Sequence, residues 1–194
     1  MKLKVRTPEE ADQLSIIDFQ EAIGCRFVVV QFAQTHDPVM TDRLKRRFLA
    51  ELLGQKPTEI QWQKTENGKP YLENSKVHFS ITHSDAYWAF AYSEDDEIGI
   101  DLEAWSDRDR LSKVALRVFQ PHENESWSSL PSTEDQIRRM LTLWTRKEAY
   151  IKAKGSLLFR EISQFDATQD SDAVKLWSQS EDGSFVMSCA RLKS

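Results

Sequence analysis

The sequence predicts a mixed α+β fold, because stretches with a two-residue apolar period are interleaved along the chain with stretches whose apolar residues recur every three or four positions. The clearest strands are RFVVVQF at residues 26–32 and EIGIDLEAW at residues 97–105, and the clearest helix covers residues 132–154. With 194 residues, the chain is long enough to bury a self-sufficient core without metal or disulfide. Its 40% hydrophobic and 29% charged residues are ordinary for a globular protein and exclude disorder.

The run at 26–32 is continuously apolar and β-branched at its centre, as a buried strand requires. In the segment TDRLKRRFLAELLG, at 41–54, Leu44, Phe48, Leu49 and Leu52 share one helical face. Asp42 is the expected N-cap, Gly54 stands where a left-handed stop residue is favoured, and Arg43, Arg46 and Arg47 occupy the other face. After the turn signal Asn67-Gly68-Lys69-Pro70, residues 76–93 read as two strands around a bend at His83-Ser84-Asp85. In 97–105, Ile98, Ile100 and Leu102 lie on one face. The long helix presents Ile137, Leu141, Trp144, Glu148 and Ile151 on one stripe and ends at Gly155. Two further strands are expected around 174–177 and 185–189.

No apolar run reaches the ~18 residues that would span a bilayer, and the opening MKLKVRTPEEAD lacks an apolar stretch of signal-peptide type, so the expected location is the cytoplasm, with no membrane partner. Cys25 and Cys189 offer neither metal-ligand spacing nor a disulfide framework and read as reduced core residues. A formal net charge of -5 argues against a dedicated nucleic-acid binder, so any anionic ligand needs a local basic patch.

Strand alternation puts Asp101 and Glu103 on one face, about 6.6 Å apart along the strand. Such a pair can bracket a hard cation, since magnesium takes oxygen ligands and often only one or two carboxylates. It equally fits the solvated outer face of an edge strand. Glu148 falls on the apolar stripe of the long helix, where an unpaired charge is expensive, and a metal, a lysine or a phosphate network would account for it. Lys152 is four residues further on, in the orientation of an ordinary exposed helical ion pair. His83, between the hydroxyls of Thr82 and Ser84, and Lys69, in its turn, read by themselves as a hydrogen-bonded histidine and a solvated charge.

Taken together, Gly68-Lys69-Pro70, FSITHSDAYWAFAY (79–92), GIDLE (99–103), FQPHE (119–123) and WTRKEAYIKAKG (144–155) occur in one order over about half the chain. This combination resembles the 4'-phosphopantetheinyl transferases of the surfactin-synthetase-activating type. The resemblance implies a pseudo-dimer of two similar α+β halves, residues 1–97 and 98–194, in a monomeric chain with coenzyme A in the cleft between them. It implies magnesium held by Asp101 and Glu103 with Glu148 completing or neighbouring the shell. His83 would contact a coenzyme A phosphate, Thr82 and Lys69 would face its 3'-phosphate, and Lys152 would reach the pyrophosphate. The implied reaction is attack of a serine hydroxyl of an apo acyl or peptidyl carrier protein on the β-phosphate, releasing adenosine 3',5'-bisphosphate, with Glu148 and Lys152 as catalytic groups.

The chain departs from the family pattern at Thr82, where serine is common, and at Leu157, in the place of a glycine. Neither Arg43 nor Arg47 aligns securely with the basic residues that family members use for the 3'-phosphate, and the role of Arg46 is open. Glu123 reads either as a support of the site or as a helix N-terminal carboxylate. Carriers of this family have acidic flanks around their serine, and the basic residues available to meet them are Arg108, Arg110, Lys113 and Arg117, in one stretch that can form a docking helix or an ordinary solvated face, with Arg146 and Lys147 beside Glu148. Two other readings stand beside this one. They are a non-catalytic module of the same fold that binds coenzyme A or a carrier protein, and an unrelated metal-dependent phosphohydrolase built on Asp101 and Glu103.

Overall fold

A computed structural model of the chain describes residues 3–105, 108–156, 159–181 and 183–193. The position of Leu157 lies outside them. The chain begins with β1 (Val5–Arg6) and α1 (Pro8–Gln13), the helix closed at its start by a reciprocal capping box between Thr7 and Glu10. β2 (Gln20–Ala22) then turns back through Ile23 and Gly24 into β3 (Cys25–Gln31), the apolar run. Helix α2 (Pro38–Leu53) follows.

Its N-cap is Asp37, one turn ahead of the expected Asp42. Asp37 Oδ1 accepts from the Val39 and Met40 amides at 2.8 and 3.4 Å, and Pro38 supplies a preset φ at the first helical position. Asp42 instead pairs with Lys45 and Arg46 inside the helix, and Gly54 ends it with left-handed φ as expected.

The turn at Asn67-Gly68 joins a two-stranded hairpin, β4 (Gln63–Lys64) and β5 (Pro70–Tyr71). β6 (His78–Ser84) and β7 (Tyr87–Ser93) form the next hairpin, whose turn is at Asp85 and Ala86 with Asp85 at φ 52, so that His83 and Ser84 belong to the strand rather than to the bend. β8 (Glu97–Ala104) stops one residue before Trp105, whose amide bonds the Ser184 carbonyl at 2.8 Å. Three helices lead on, α3 (Arg108–Val118), α4 (Pro121–Ser128) and α5 (Thr133–Lys154). A short α6 (Phe159–Gln164) precedes β9 (Val174–Glu181) and β10 (Phe185–Leu192), strands longer than the apolar patterning predicts.

β1, β3, β7 and β6 lie in that order in one sheet, with β2 also on β3, whereas β8, β10 and β9 form a second, antiparallel sheet. Alternation sorts the side chains into layers. Val28, Val30 and Phe90 pack under Leu44, Phe48 and Leu49 of α2. On the opposite face Phe27, Val29, Ala89 and Ala91 meet Ile98, Ile100, Leu102 and Met187 of the second sheet, as the alternation of the β8 segment requires. Cys25 and Cys189 are free in this shared core, where burial pushes the Cys25 thiol up to about 12. The far side of the second sheet lies under α5. The layers therefore run helix, sheet, sheet, helix.

The seating of α4 and α6 depends on one buried ion pair. Glu123 and Lys147 have side chains of 0% exposure and meet at 2.9 Å. Glu123 also accepts from the Gln120 and Ala167 amides, both at 2.8 Å, while Lys147 donates to the carbonyls of Ile162 and Phe165. Glu123 is thus a structural anchor rather than part of a site, and Lys147 is closed to solvent. Removing one member of such a pair leaves the other charged and uncompensated. Glu123→Gln is expected to cost about 3 to 5 kcal/mol of stability, and more than the joint replacement Glu123→Leu with Lys147→Met; urea unfolding of the three proteins measures both.

Candidate active site

Ser80, Thr82 and Ser84 recur every second residue on β6 and so share one face, directed at the unpaired edge of β8. The Ile100 and Ala104 amides donate to Ser80 Oγ and Ser84 Oγ, each at 3.1 Å. Between them Thr82 Oγ1 donates to Asp101 Oδ1 at 3.1 Å, and Ser84 Oγ to Glu103 Oε2 at 2.9 Å. Hydroxyls thus replace a backbone ladder where the two sheets meet, and they orient the two carboxylates. The alternating hydroxyls are visible in the sequence, yet only Thr82 is given a ligand role there and Ser84 is noted merely as a neighbour of His83, because nothing local tells that their face meets β8.

The other boundary of the site is α5. A Cβ added to Gly99 would stand 1.9 Å from the Ala149 carbonyl oxygen and 2.5 Å from the Ala153 nitrogen, so helix and strand touch backbone to backbone. Ala149 and Ala153, both fully buried, allow this approach. Lys152, one position from Ala153, then reaches Asp101 Oδ1 at 2.6 Å and Thr82 Oγ1 at 3.0 Å. The ordinary helical ion pair that the spacing of Glu148 and Lys152 allows is not the one formed, since Lys152 pairs with Asp101. Glu148 faces Asp101 and Glu103, and burial, then the Asp101 and Glu103 charges, push its carboxyl up to about 7 against the opposing pull of Lys152. Trp144 Nε1 donates to Glu103 Oε1 at 3.3 Å.

Asp101 is buried, and its Oδ2 has no hydrogen-bond partner. A lone buried carboxylate oxygen beside two further carboxylates, with Lys152 paired to Asp101, fits a hard, oxygen-seeking cation. Among the described residues no three His, Cys, Asp or Glu side chains are grouped closely enough to hold a metal by themselves. The donor set therefore fits magnesium, which fills most of its shell with water and phosphate oxygens, better than a cation that needs a complete protein cage.

Two cavities flank this group. One, of about 460 Å³, is lined by Trp62, Lys64, Lys69, Phe79, Glu148 and Lys152. The other, of about 420 Å³, is lined by Ser84, Glu103, Arg110, Leu111, Val114 and Trp144. Lys69 thus shares a cavity with Lys152, although the two are 83 residues apart in sequence. His83 is exposed near the end of β6, and its ring stacks on that of His36 with centroids 3.9 Å apart. Partial burial, His36 and Lys152 together hold the His83 imidazole below its ordinary pKa.

Other basic residues have structural tasks. Arg43 pairs with Asp12, and Arg47 donates to the Ala11 and Leu14 carbonyls, both at 2.6 Å, so these two dock α1. Arg46 bonds Asp42 and the Ile60 carbonyl and lies over the Trp62 ring. Arg146 bonds Ser178 Oγ at 2.8 Å and the Ala167 carbonyl at 3.0 Å. Lys147, buried on Glu123, is not available as surface charge, and Arg146 is half-buried with its guanidinium bonded to Ser178 and Ala167. Arg110, Lys113 and Arg117 are exposed on α3.

The raised Glu148 pKa has a definite sign in stability. The folded protein binds this proton more tightly than the unfolded chain, so the contribution is complete below the ordinary carboxylate range, near 4.5, and is lost as pH rises through about 7. Glu148→Gln is expected to stabilise the metal-free protein at pH 8 by about 1 to 2 kcal/mol, after allowance for partial solvation, and to bring no gain at pH 4.5. Thermal unfolding of both proteins across this range is the measurement, and a gain independent of pH would contradict it.

A family model described as the 4'-phosphopantetheinyl transferase superfamily matches residues 97–189, the span that includes β8 and α5. The 4'-phosphopantetheinyl transferase gsp of Aneurinibacillus migulanus is 31% identical over 188 residues, 92% of this chain and 76% of that protein. A putative 4'-phosphopantetheinyl transferase, slr0495 of Synechocystis, is 34% identical over 69% of this chain and 56% of its own length. The 4'-phosphopantetheinyl transferase HetI of Nostoc is 35% identical over 57% and 48%. The chain thus spans from about half to about three quarters of these relatives. With the carboxylates and lysine of the matched span assembled at one junction, this chain is an enzyme of the 4'-phosphopantetheinyl transferase family.

Proposed function

We propose that the protein transfers the 4'-phosphopantetheine group of coenzyme A to a serine hydroxyl of an apo acyl or peptidyl carrier protein in a magnesium-dependent reaction that releases adenosine 3',5'-bisphosphate. The observation that carries this reading is the gathering of Asp101, Glu103, Glu148 and Lys152 between two cavities, since transfer between two substrates needs the reacting groups reachable from both sides. The larger cavity, with four lysines on its wall (Lys45, Lys64, Lys69 and Lys152), suits the polyanionic coenzyme A, and the smaller suits the approach of the acceptor. Magnesium held by Asp101 and Glu103, with Glu148 beside it, would supply charge against the pyrophosphate oxygens.

The residues of the chain do the rest. Lys152, held at the junction by Thr82 and Asp101, is placed to meet developing charge on the diphosphate. Glu148, with a pKa of about 7, is matched to accept the serine proton near neutral pH. Thr82 and His83 would line the phosphate path from β6, and Lys69 would face the 3'-phosphate from the hairpin turn. Two sheets, each with its own long helix, are what favours a division into halves 1–97 and 98–194 working as a pseudo-dimer; the chain is proposed as monomeric and cytoplasmic. No helix among the described residues is long and apolar enough to cross a membrane.

Asp101→Ala is expected to abolish nearly all transfer while the fold survives, because a carboxylate crowded by Glu148 relieves repulsion when it leaves. Transfer to an apo carrier, followed by the mass added to the carrier, should also disappear with excess chelator and return with magnesium. Retention of more than about a tenth of wild-type turnover by the variant would overturn the metal assignment.

Helix α3 supplies the second test. Lys113 and Arg117 are four residues apart on its exposed surface, next to Leu116 at 73% exposure. If acidic carriers dock there, Lys113→Glu with Arg117→Glu should raise the carrier KM severalfold and leave the coenzyme A KM unchanged. Rising salt should then weaken carrier use in wild type more than in the variant, because exposed charges are screened over about 8 Å at physiological ionic strength. Equal salt dependence in both proteins would move the docking surface away from α3.

A further inference from the structure

The β4–β5 hairpin pairs with neither sheet, so side-chain contacts set its place. Its turn is closed internally, with the Gly68 amide on the Thr65 carbonyl at 2.9 Å and the Lys69 amide on Thr65 Oγ1 at 3.1 Å. From this turn two side chains reach the end of α5. Asn67 Nδ2 donates to the Gly155 carbonyl at 2.9 Å, and Lys69 Nζ donates to the Ala153 carbonyl. The stem of Lys69 lies on Gly155, where an added Cβ would stand 3.0 Å from Lys69 Cδ. Carbonyls at a helix C-terminus lack partners within the helix and carry its negative end, so an ammonium group there is well matched.

Lys69 Nζ also donates to Glu97 Oε2, and its side chain is only 12% exposed. Glu97 is the first residue of β8, four positions before Asp101, and its other oxygen is 3.3 Å from His78 Nδ1 at the start of β6. One carboxylate therefore joins the hairpin to the beginnings of both strands that build the site, and Lys69 extends the link to the end of the helix that bears Glu148 and Lys152. Nothing in the motif pattern singles out Glu97, and the reaction as proposed does not use it.

We infer that Glu97 is a positioning residue for coenzyme A binding, fixing Lys69 at the wall of the larger cavity and, through the Ala153 carbonyl, fixing the end of α5 so that Lys152 stays opposite Asp101. The inference rests on the reading that coenzyme A occupies this cavity. Lys69 spends two of its three N–H groups on Glu97 and Ala153, leaving one for an anionic ligand. A lysine already ordered in this way loses little rotamer freedom when it meets a phosphate. The competing effect of Glu97 has the opposite sign, since its charge offsets that of Lys69. If offsetting were all it did, its removal would tighten coenzyme A binding.

The sign is therefore the test. In the full chain, Glu97→Gln should raise the coenzyme A KM about threefold to tenfold, the range of a partly exposed ion pair within a network, with a smaller change in kcat and an unchanged carrier KM. Asn67→Ala, on the other strut, should shift the same constants in the same direction. Lys69→Ala with Glu97→Gln should bind coenzyme A no worse than Lys69→Ala alone, because Glu97 acts through Lys69. Amide exchange at Gly155 and Ser156 should be faster in Glu97→Gln than in wild type. A lower KM in Glu97→Gln, additive losses in the double variant, or unchanged exchange would each overturn the inference. If the wild-type protein transfers nothing to any carrier, the proposed reaction fails. Calorimetric titration of coenzyme A into wild type and Glu97→Gln would then decide the positioning role, with equal or tighter binding by the variant counting against it.

Discussion

At Gly99 the chain admits no side chain, because a Cβ there would overlap the Ala149 carbonyl oxygen at 1.9 Å. The backbone contact between β8 and α5 fixes two things at once. It sets how deeply α5 sits on the second sheet, and it sets which α5 residues flank the contact. Glu148 and Lys152 each precede one of the two contacting alanines, so both project beside the strand at the level of Asp101. A bulkier residue at 99, 149 or 153 would lift the helix, separating Lys152 from Asp101 and loosening the apolar packing of α5 on the second sheet together. The chemistry of the site thus depends on a steric constraint between backbones, and the charged groups take up positions that the constraint has defined.

Electrostatics within that frame are left unbalanced. Asp101, Glu103 and Glu148 crowd one region in which Lys152 pairs with Asp101 alone of the three, and the imbalance is visible in the upward shift of Glu148 and in the unpartnered oxygen of Asp101. A structural network would be expected to satisfy itself, as Glu123 does with two amides and Lys147. The contrast lies along one helix. Lys147 is fully buried, bonded to a carboxylate and two carbonyls, and holds α4 and α6. Lys152, five residues later, stays partly open to the cavity it shares with Lys69. The same residue type serves the core in one case and the site in the other, according to which side of α5 it leaves.

The junction of the two sheets repeats the pattern in neutral groups. β8 offers unpaired amides at its free edge, and such an edge invites a further strand. Ser80 and Ser84 satisfy the Ile100 and Ala104 amides without a ladder, keeping β6 close while leaving Thr82 directed at Asp101. A complete backbone ladder at this place would have fused the sheets and aimed the hydroxyls elsewhere.

Much of this was legible in the residues themselves. The apolar run of β3, the alternation of β8 and the stripe of α5 follow from local periodicity, which the sequence records directly. So does the shared face of Asp101 and Glu103, since alternation is a property of any strand. Capping was less secure: Asp42 reads as the cap from the sequence, whereas the helix is capped by Asp37 with Pro38 in its first position, a local signal that the choice of Asp42 leaves unused. Arg146 and Lys147 read as docking charges because they stand beside Glu148, and Glu123 read equally as a support of the site or a helix N-terminal carboxylate, yet side-chain direction around a helix surrounded on several sides depends on what packs there. The sequence by itself determined the main strands and helices, the carboxylate pair and the family, because these rest on spacing within short segments, whereas the short elements β1, α1, β2, β4, β5 and α6 carry too few residues for a period to show. The tertiary structure alone decided that Lys152 meets Asp101 instead of Glu148, that hydroxyls of β6 stitch the edge of β8, and that Glu97 ties Lys69 to the end of α5. Each of those contacts joins residues from 19 to 84 positions apart, and their geometry is set by how closely helix and strand can approach.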